Sequence, residues 1–542
     1  AHIGVPGCAG VSIMLRRNGE VLGQGAPTAE EPAYLRRALS RAMASALAAP
    51  VVEGLPEAVK DQLGRNLTLD MEFAGALAPV AGRSTSAIGK QLVPGLDGLA
   101  MRWQGDVAMR YPGVAIARNT ASDLSRQLPG MAFDLGLPAA SLETLRRTHG
   151  VRIATFRTRR LVEPEPNGVP FEPFRGKRLL RDRVADPSDI EVLAGGLAAH
   201  LLASIMTDSD GEADEGPTVY VSGDYQAAYD GYEPVVAGTR DQLLIAEALL
   251  HYAARDGADA EQARRVREAA NQILNGFART ITADDAAEPA AVAAAAFLRA
   301  ALVEGAAGEP VDEAVPLARR RLLAVAEPDQ LDVPPGEPEA GPAPSPSDLA
   351  AMASGLARIA VAHGAEDDAA AAAWLADRAW AGLKGRQRIE LLPWIAWAER
   401  DLQEAGIDRP HARDRLRRLL EMLDDSWIGP GGLEGAPDVQ GGFALETAPT
   451  ALADAQSTRP AIFIAMALDW DGLLDVVEAA VLSNRHRFTM QFLRQLQVKD
   501  EDLWDFGNQK RAMGGVRSAP WRNDLPKAAQ AMALLAACKT LD

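Results

Sequence analysis

Carboxylates, aromatic rings and arginines crowd two glycine-bearing stretches, "DDSWIGPGGLEGAPDVQGGFALE" (424–446) and "DEDLWDFGNQKRAMGGVRSAPWRND" (500–524). A third, "YQAAYDGYEP" from Tyr225, adds tyrosines and Glu233. Carbohydrate chemistry uses these residue types: two carboxyl groups facing a sugar, or a Tyr/Glu set that removes a ring proton, with aromatic platforms for the sugar face. The candidate catalytic residues are therefore Glu446, Asp505 and Tyr229. The candidate ligand-binding residues are Trp427, Trp504, Trp521, Arg517 and Asp438. A competing expectation is that the tryptophans pin loops to helix ends while the acids pair with arginines.

Other chemistries have no residues to stand on. The histidines are scattered, and His486 in "SNRHRF" is flanked by arginines that lower its pKa and repel a metal. "TDSDGEADEG" spaces acids as a calcium loop does, but its glycine comes too early and Val219 stands where a final Glu is needed, so an exposed acidic loop is expected. Gly-rich pieces such as "GPGGLEG" lack the lysine and the strand-to-helix setting of a phosphate loop. Asp367-Asp368 reads as an acidic first turn and not as a cyclase cluster. Two cysteines allow neither a disulfide scaffold nor a Cys-based zinc site. No cofactor and no metal is expected.

With 542 residues and a net charge of −18, two or three domains and a soluble acidic protein are expected, and a nucleic-acid partner is not. The basic runs "TLRRTH", "FRTRR" and "FRGKRLLRDR" between Leu145 and Arg183 are the local exception, read as solvated or domain-contact arginines. No run reaches the ~20 apolar residues of a membrane span. The start at Ala1 fits either an exported chain whose leader was removed or a trimmed one, so the compartment stays open.

The elements that must hold these residues fall into two kinds. Over residues 1–179 strands and helices alternate. "GVSIMLRRNGEVLGQGAP" predicts two strands about Asn18-Gly19. "EEPAYLRRALSRAMASALAAP" predicts a helix whose apolar face holds Leu35, Leu39 and Met43. "LTLDMEFAG" alternates like a half-buried strand, and "VRIATFRTRRLVE" predicts another. Over residues 186–542 the spacing predicts about a dozen helices in pairs. Three long rim loops, 326–348, 427–459 and 499–526, interrupt them. The last helix, "LPKAAQAMALLAACKTLD", is apolar almost to its end, so it must pack on other helices, plausibly the first pair, closing a ring with the last loop over its mouth.

Two resemblances follow. Residues of about 10–165 resemble an AMMECR1 domain in motif order, through Gly95, Asp97, Gly98, Leu99, Pro112, Val114, Gly136, Leu137, Phe156 and Glu163. The family's "LRGCIG" is here "LGQGAP", with Gln24-Gly25-Ala26 where its cysteine segment stands. The second part resembles the α/α toroid of glycoside hydrolases, lyases, epimerases and terpene cyclases, on its three Gly- and aromatic-rich approaches to helices. The expected fold is thus an N-terminal α+β domain (AMMECR1-like) followed by an all-α (α/α) toroid. The expected function is binding or processing of a carbohydrate-like or other polar small molecule in the central pocket, by a hydrolase, lyase or epimerase if it is an enzyme. The alternative is a non-catalytic scaffold whose AMMECR1-like part docks a protein partner.

Overall fold

The computed structural model describes residues 7–121, 123–180, 184–208, 218–282, 290–326, 343–433, 435–446 and 451–542. The predicted acidic loop around Asp210 and most of loop 326–348 lie outside them.

The chain opens with the predicted hairpin, β1 (Gly10–Arg17) and β2 (Glu20–Gly25). Asn18 and Gly19 both take positive φ in its turn, which is why this pair stands there. A sheet of order β2-β1-β3-β7-β5-β6 follows, with β3 (Thr68–Ala74), β5 (Asp97–Trp103), β6 (Asp106–Arg110) and β7 (Arg152–Val162). The short β4 (Ala78–Pro79) pairs with β7.

Helix α1 (Tyr34–Leu47) lies on β2, and helices α2 (Leu124–Asp134) and α3 (Leu142–His149) share an apolar core with β5, β6 and β7. Helix α1 does not pack by the expected face. It buries Tyr34, Ala38, Ala42 and Ala46, and leaves Leu39 and Met43 40% and 51% exposed. The cause is close approach. A Cβ at Gly23 or Gly25 would run into the carbonyl oxygens of Ala42 or Ala38, so only alanine fits between helix and strand.

Strand β3 also departs from its simple reading. Its apolar Leu69, Met71 and Phe73 pack under α1, yet Thr68, Asp70 and Glu72 are the more deeply buried set. The register explains this. Pairing β3 with β1 and β7 sets Arg16 opposite Thr68 and Arg160 opposite Glu72 on the second sheet face, and that face is covered by the helical part. There Asp70 accepts from Arg16 Nε at 3.1 Å and from Arg160 Nε and Nη2 at 2.8 and 2.6 Å. Arg16 Nη2 lies 3.0 Å from Asp505 of the helical part, and the Trp504 ring sits 5.5 and 5.3 Å from the two guanidinium carbons.

The helical part is a closed ring. Its helices are α4 (Pro187–Ala203), α5 (Thr239–Ala254), α6 (Ala260–Thr282), α7 (Ala291–Ala301), α8 (Glu309–Val325) and α9 (Pro346–His363). They continue with α10 (Glu366–Gly382), α11 (Trp394–Glu404), α12 (Pro410–Asp424), α13 (Thr458–Leu468), α14 (Val476–Leu496) and α15 (Lys527–Leu541). The odd-numbered helices form the inner circle: α5 packs on α7, α7 on α9, α9 on α11, and α13 on α15, which returns to α5. Between α11 and α13 the closure is by Arg459 Nε to Leu392 O at 2.8 Å and by the Arg400–Asp469 pair at 2.7 Å. Alanine dominates the inner contacts, which lets the helices approach; Gly355 of α9, for instance, lies directly against Ala295 of α7.

The expectation of an all-helical second part needs correction. A three-stranded sheet, β8 (Ile205–Asp208), β9 (Thr218–Gln226) and β10 (Gly231–Val236), stands between α4 and α5. Tyr225 of β9 exchanges two backbone hydrogen bonds with Leu525, so this sheet pins the last loop. Gln530 of α15 clamps that loop from the other side, taking the Val516 N–H and donating to its carbonyl, both at 2.6 Å.

The charge cluster gives a stability test. Asp505→Ala leaves Arg16 buried beside a vacated site and is expected to cost about 3–5 kcal/mol in chemical denaturation. Adding Arg16→Met to Asp505→Leu should recover most of that loss. A single-variant loss of under about 1 kcal/mol would show that the cluster does not hold the two parts together.

Candidate functional site

Five inner helices, α5, α9, α11, α13 and α15, point their N-terminal ends into one cavity of about 810 Å³. The N-terminal part supplies its opposite wall, through Lys90, Pro94, Asp97 and Gln127. The rim loops supply the rest, including Glu446, Asp454 and Trp521.

Asp454 caps a short turn, accepting the Gln456 N–H at 2.8 Å, and that turn leads into α13. Burial pushes its carboxyl up to about 6; the Gln456 N–H opposes this, and the Glu446 charge adds to it. Glu446 itself is exposed at the cavity margin. The cavity thus holds two carboxyl groups in unequal surroundings, one poised to carry a proton near neutrality and one open to water. Asp97 of the facing wall and Asp241, in the first turn of α5, border the cavity as well, and burial also raises the pKa of Asp241.

Positive charge balances these acids. Arg459, in the first turn of α13, is turned onto the Glu390 and Leu392 carbonyls. Burial, and secondarily the charge of Arg240, lowers its pKa. Arg240 lies over the Trp394 ring at 4.9 Å, and Arg522 chelates Asp524 at 3.0 and 3.1 Å. The inner-helix N-termini add partial positive charge to the same space.

Of the eight residues singled out from the sequence, Glu446 and Trp521 line this cavity. Asp505 lies in the buried ion cluster, also accepting from Asn523 Nδ2 at 2.8 Å, and Trp504 lies under that cluster. Tyr229 sits 60% exposed beside the β9–β10 turn, donating to Glu233 at 2.6 Å. It borders a separate hollow of about 380 Å³ with Arg16 and Asp505. Arg517 is fully buried and donates to Asn523 at 3.2 Å. Asp438 faces Arg175 at 3.4 Å, with its pKa pushed by burial to about 6. Trp427 donates to the Gly441 carbonyl at 3.2 Å under Arg485, pinning its own loop.

Asp454, Asp241 and Arg240 were passed over. Their signal was positional: Asp454 is an Asp three residues before a Ser-Thr pair that opens an apolar helix, and Arg240-Asp241 follow a Thr at a helix start. In a ring, residues at the starts of alternate helices converge, and one-dimensional spacing does not show this.

Among the described residues, no group of three or more His, Cys, Asp or Glu is placed to hold a metal ion, and no helix is long and apolar enough to cross a membrane.

No protein-family model matches the chain, and no curated protein matches it. Among solved structures it is similar to a possible member of glycoside hydrolase family 105 from Salmonella enterica. That match has 13% identity and a TM-score of 0.39, over 67% of this chain and 96% of the other. It is also similar to a metagenome-derived glycoside hydrolase family 9 endoglucanase, at 12% identity and a TM-score of 0.34, over 88% and 96% of the two chains. A third similar structure is an uncharacterized protein of Pyrococcus horikoshii, at 16% identity and a TM-score of 0.23, over 30% and 78%. The helix ring described above rests on the contacts within this chain and not on these likenesses. None of the comparisons supports the AMMECR1 resemblance.

Asp454 yields a pH-dependent prediction. Its folded-state pKa of about 6 exceeds the ordinary 3.8, so the folded chain holds this proton more tightly than the unfolded one. Below about pH 4 both states are protonated and burial carries no penalty. As pH rises from there through 6 the penalty grows, to at most about 3 kcal/mol. Asp454→Asn is therefore expected to match the parent in thermal stability near pH 4 and to exceed it near pH 8. Equal melting temperatures at both pH values would contradict the burial assigned to this carboxyl.

Proposed function

We propose that the chain is a carbohydrate-active protein that binds, and cleaves or rearranges, a polar glycan-like molecule in the cavity at the mouth of its helix ring. In this reading residues 186–542 form an α/α toroid and residues 1–179 a separate α+β unit of AMMECR1 type that walls the cavity. The observation that carries the function is the pairing of Asp454 with Glu446 in a cavity of about 810 Å³ that also holds Trp394 and Trp521. A buried acid that keeps its proton toward neutral pH can donate it to a leaving oxygen. An exposed carboxylate beside it can activate water or stabilise the positive charge that develops on the sugar ring. Trp394 and Trp521, both largely buried, border the cavity with Arg240 over the first ring and Arg175 over the second, and Arg240, Arg459 and Arg522 offer donors to a ligand's hydroxyl or carboxylate oxygens.

Asp505 and Tyr229 keep a place only in a variant of this proposal centred on the smaller hollow they share. The Asp505 carboxylate already serves Arg16 and Asn523, which leaves it little freedom to act on a substrate.

A second reading, docking of a protein partner on the N-terminal part, is supported by Leu39, Met43 and Leu47 of α1 with Val51 beyond it, all 40–51% exposed.

The test is turnover of a panel of neutral and acidic oligosaccharides, followed by mass spectrometry, with the parent chain and with Asp454→Asn and Glu446→Gln. A substrate should be found whose turnover falls at least about a hundredfold in each variant. Parent activity should decline as pH rises through about 6, where Asp454 loses its proton. A substrate turned over equally well by both variants would move the chemistry out of this cavity.

A further inference from the structure

The basic runs around Arg157 and Arg178 have no part in the ring-mouth cavity. They meet instead at a second cleft, of about 730 Å³, between the polar face of the sheet and the segment 171–179. Glu72, Arg157, Thr158, Arg160, Arg175 and Arg178 all border it.

Two of these arginines are buried with donors unused. Arg160, 6% exposed, spends Nε and Nη2 on Asp70, while its Nη1 has no hydrogen-bond partner. Arg175, 2% exposed, has no hydrogen-bond partner at any of its three guanidinium nitrogens; its nearest opposite charge is Asp438 Oδ1 at 3.4 Å. A buried donor left without a partner keeps the desolvation cost of its burial, and two buried guanidinium groups beside one opening make that cost a ligand's gain. Arg157 and Arg178 flank the opening in exposed positions, Arg157 paired with Asp97 at 3.1 Å and Arg178 stacked on Phe171 at 4.3 Å.

The acids here do not cancel this charge. Glu172 is taken up by Arg159 at 3.0 Å. Glu72 accepts from Thr158 at 2.6 Å and from the Gly113 N–H at 2.9 Å, and burial raises its pKa to about 7, so near neutral pH it is ionised only in part. Gly113 is needed for this arrangement: a Cβ there would press on both Glu72 Oε2 and Arg160 Nε. The remaining wall is apolar, with Leu96, Phe171, Phe174 and Leu179.

We infer that this cleft is a second ligand site, taking a small organic anion whose carboxylate or phosphate group meets Arg160 and Arg175 while its apolar body lies against Phe171 and Phe174. The site is distinct from the ring-mouth cavity, from which the Arg175–Trp521 contact, at 5.4 Å, divides it.

The test is isothermal titration of the full chain with phenyl phosphate and, separately, benzoate. Saturable binding of one probe per chain is expected. Binding of phenyl phosphate alone would assign a phosphate ester, and binding of benzoate alone a carboxylate. The paired reversal Arg157→Glu and Arg178→Glu, at exposed positions that leave the fold intact by circular dichroism, should weaken binding about tenfold or more. Asp454→Asn should leave it unchanged. Binding of neither probe overturns the inference, as does binding that the paired reversal leaves intact or that Asp454→Asn abolishes.

Discussion

The rest of the molecule depends on one buried exchange of charge: Asp70 held by Arg16 and Arg160, with Asp505 from the helical part answering Arg16. Two cations and two anions balance there almost out of contact with water. Their arrangement requires the sheet face and the 499–526 loop to meet in one relative position, since a guanidinium group satisfies two carboxylates only where its fork reaches both. Lys177 reinforces it, placing its ammonium 2.8 Å from Asp502 and on the Gln495 carbonyl at 2.9 Å. An apolar interface would tolerate sliding; this one does not.

Fixing the two parts in this way walls the ring-mouth cavity, while the cleft lies within the N-terminal part with Gly435 of the helical part at its border. Burial raises Asp454 and Asp241 at the ring mouth, Asp438 beside Arg175, and Glu72 on the sheet itself. Such raised carboxylates store an energetic cost in the folded state. That cost recurs at Asp454 and Asp241 in the ring-mouth cavity and at Glu72 in the cleft, and the ring interior bears it again at Asp401, raised by burial to about 6 beside Arg299 and Arg358.

Much of the architecture was legible in the sequence, because local patterns decide it. The Asn18-Gly19 hairpin, the strand of "VRIATFRTRRLVE" and the closure of the ring by the last helix all follow from short-range chemistry and from where apolar surface must go. The misreadings share a different cause. α1 turned its leucines outward because Gly23 and Gly25 across the gap admit only alanine, a fact about its partner and not about its own periodicity. β3 buried its acids because a second layer lies on its polar face. The site followed the same rule. Trp504 and Asp505 drew attention as chemically able residues, but their partners, Arg16 and Arg160, lie hundreds of positions away and turn them into a joint. Glu446 and Trp521 do reach the cavity, and the acid beside them, Asp454, looked in sequence like an ordinary cap.

The wall that Lys90, Pro94, Asp97 and Gln127 raise opposite the ring mouth bears on molecular reach. A groove open at both ends lets a long polymer lie across the reactive groups and be cut anywhere along its length. Here the floor is the circle of helix starts, and the facing wall belongs to the same rigidly joined chain. In the proposed reading, a cavity of about 810 Å³ takes a small ligand or a short stretch of a polymer, not a long run of one. Chemistry at the Asp454–Glu446 pair would, on that reading, favour short oligomers.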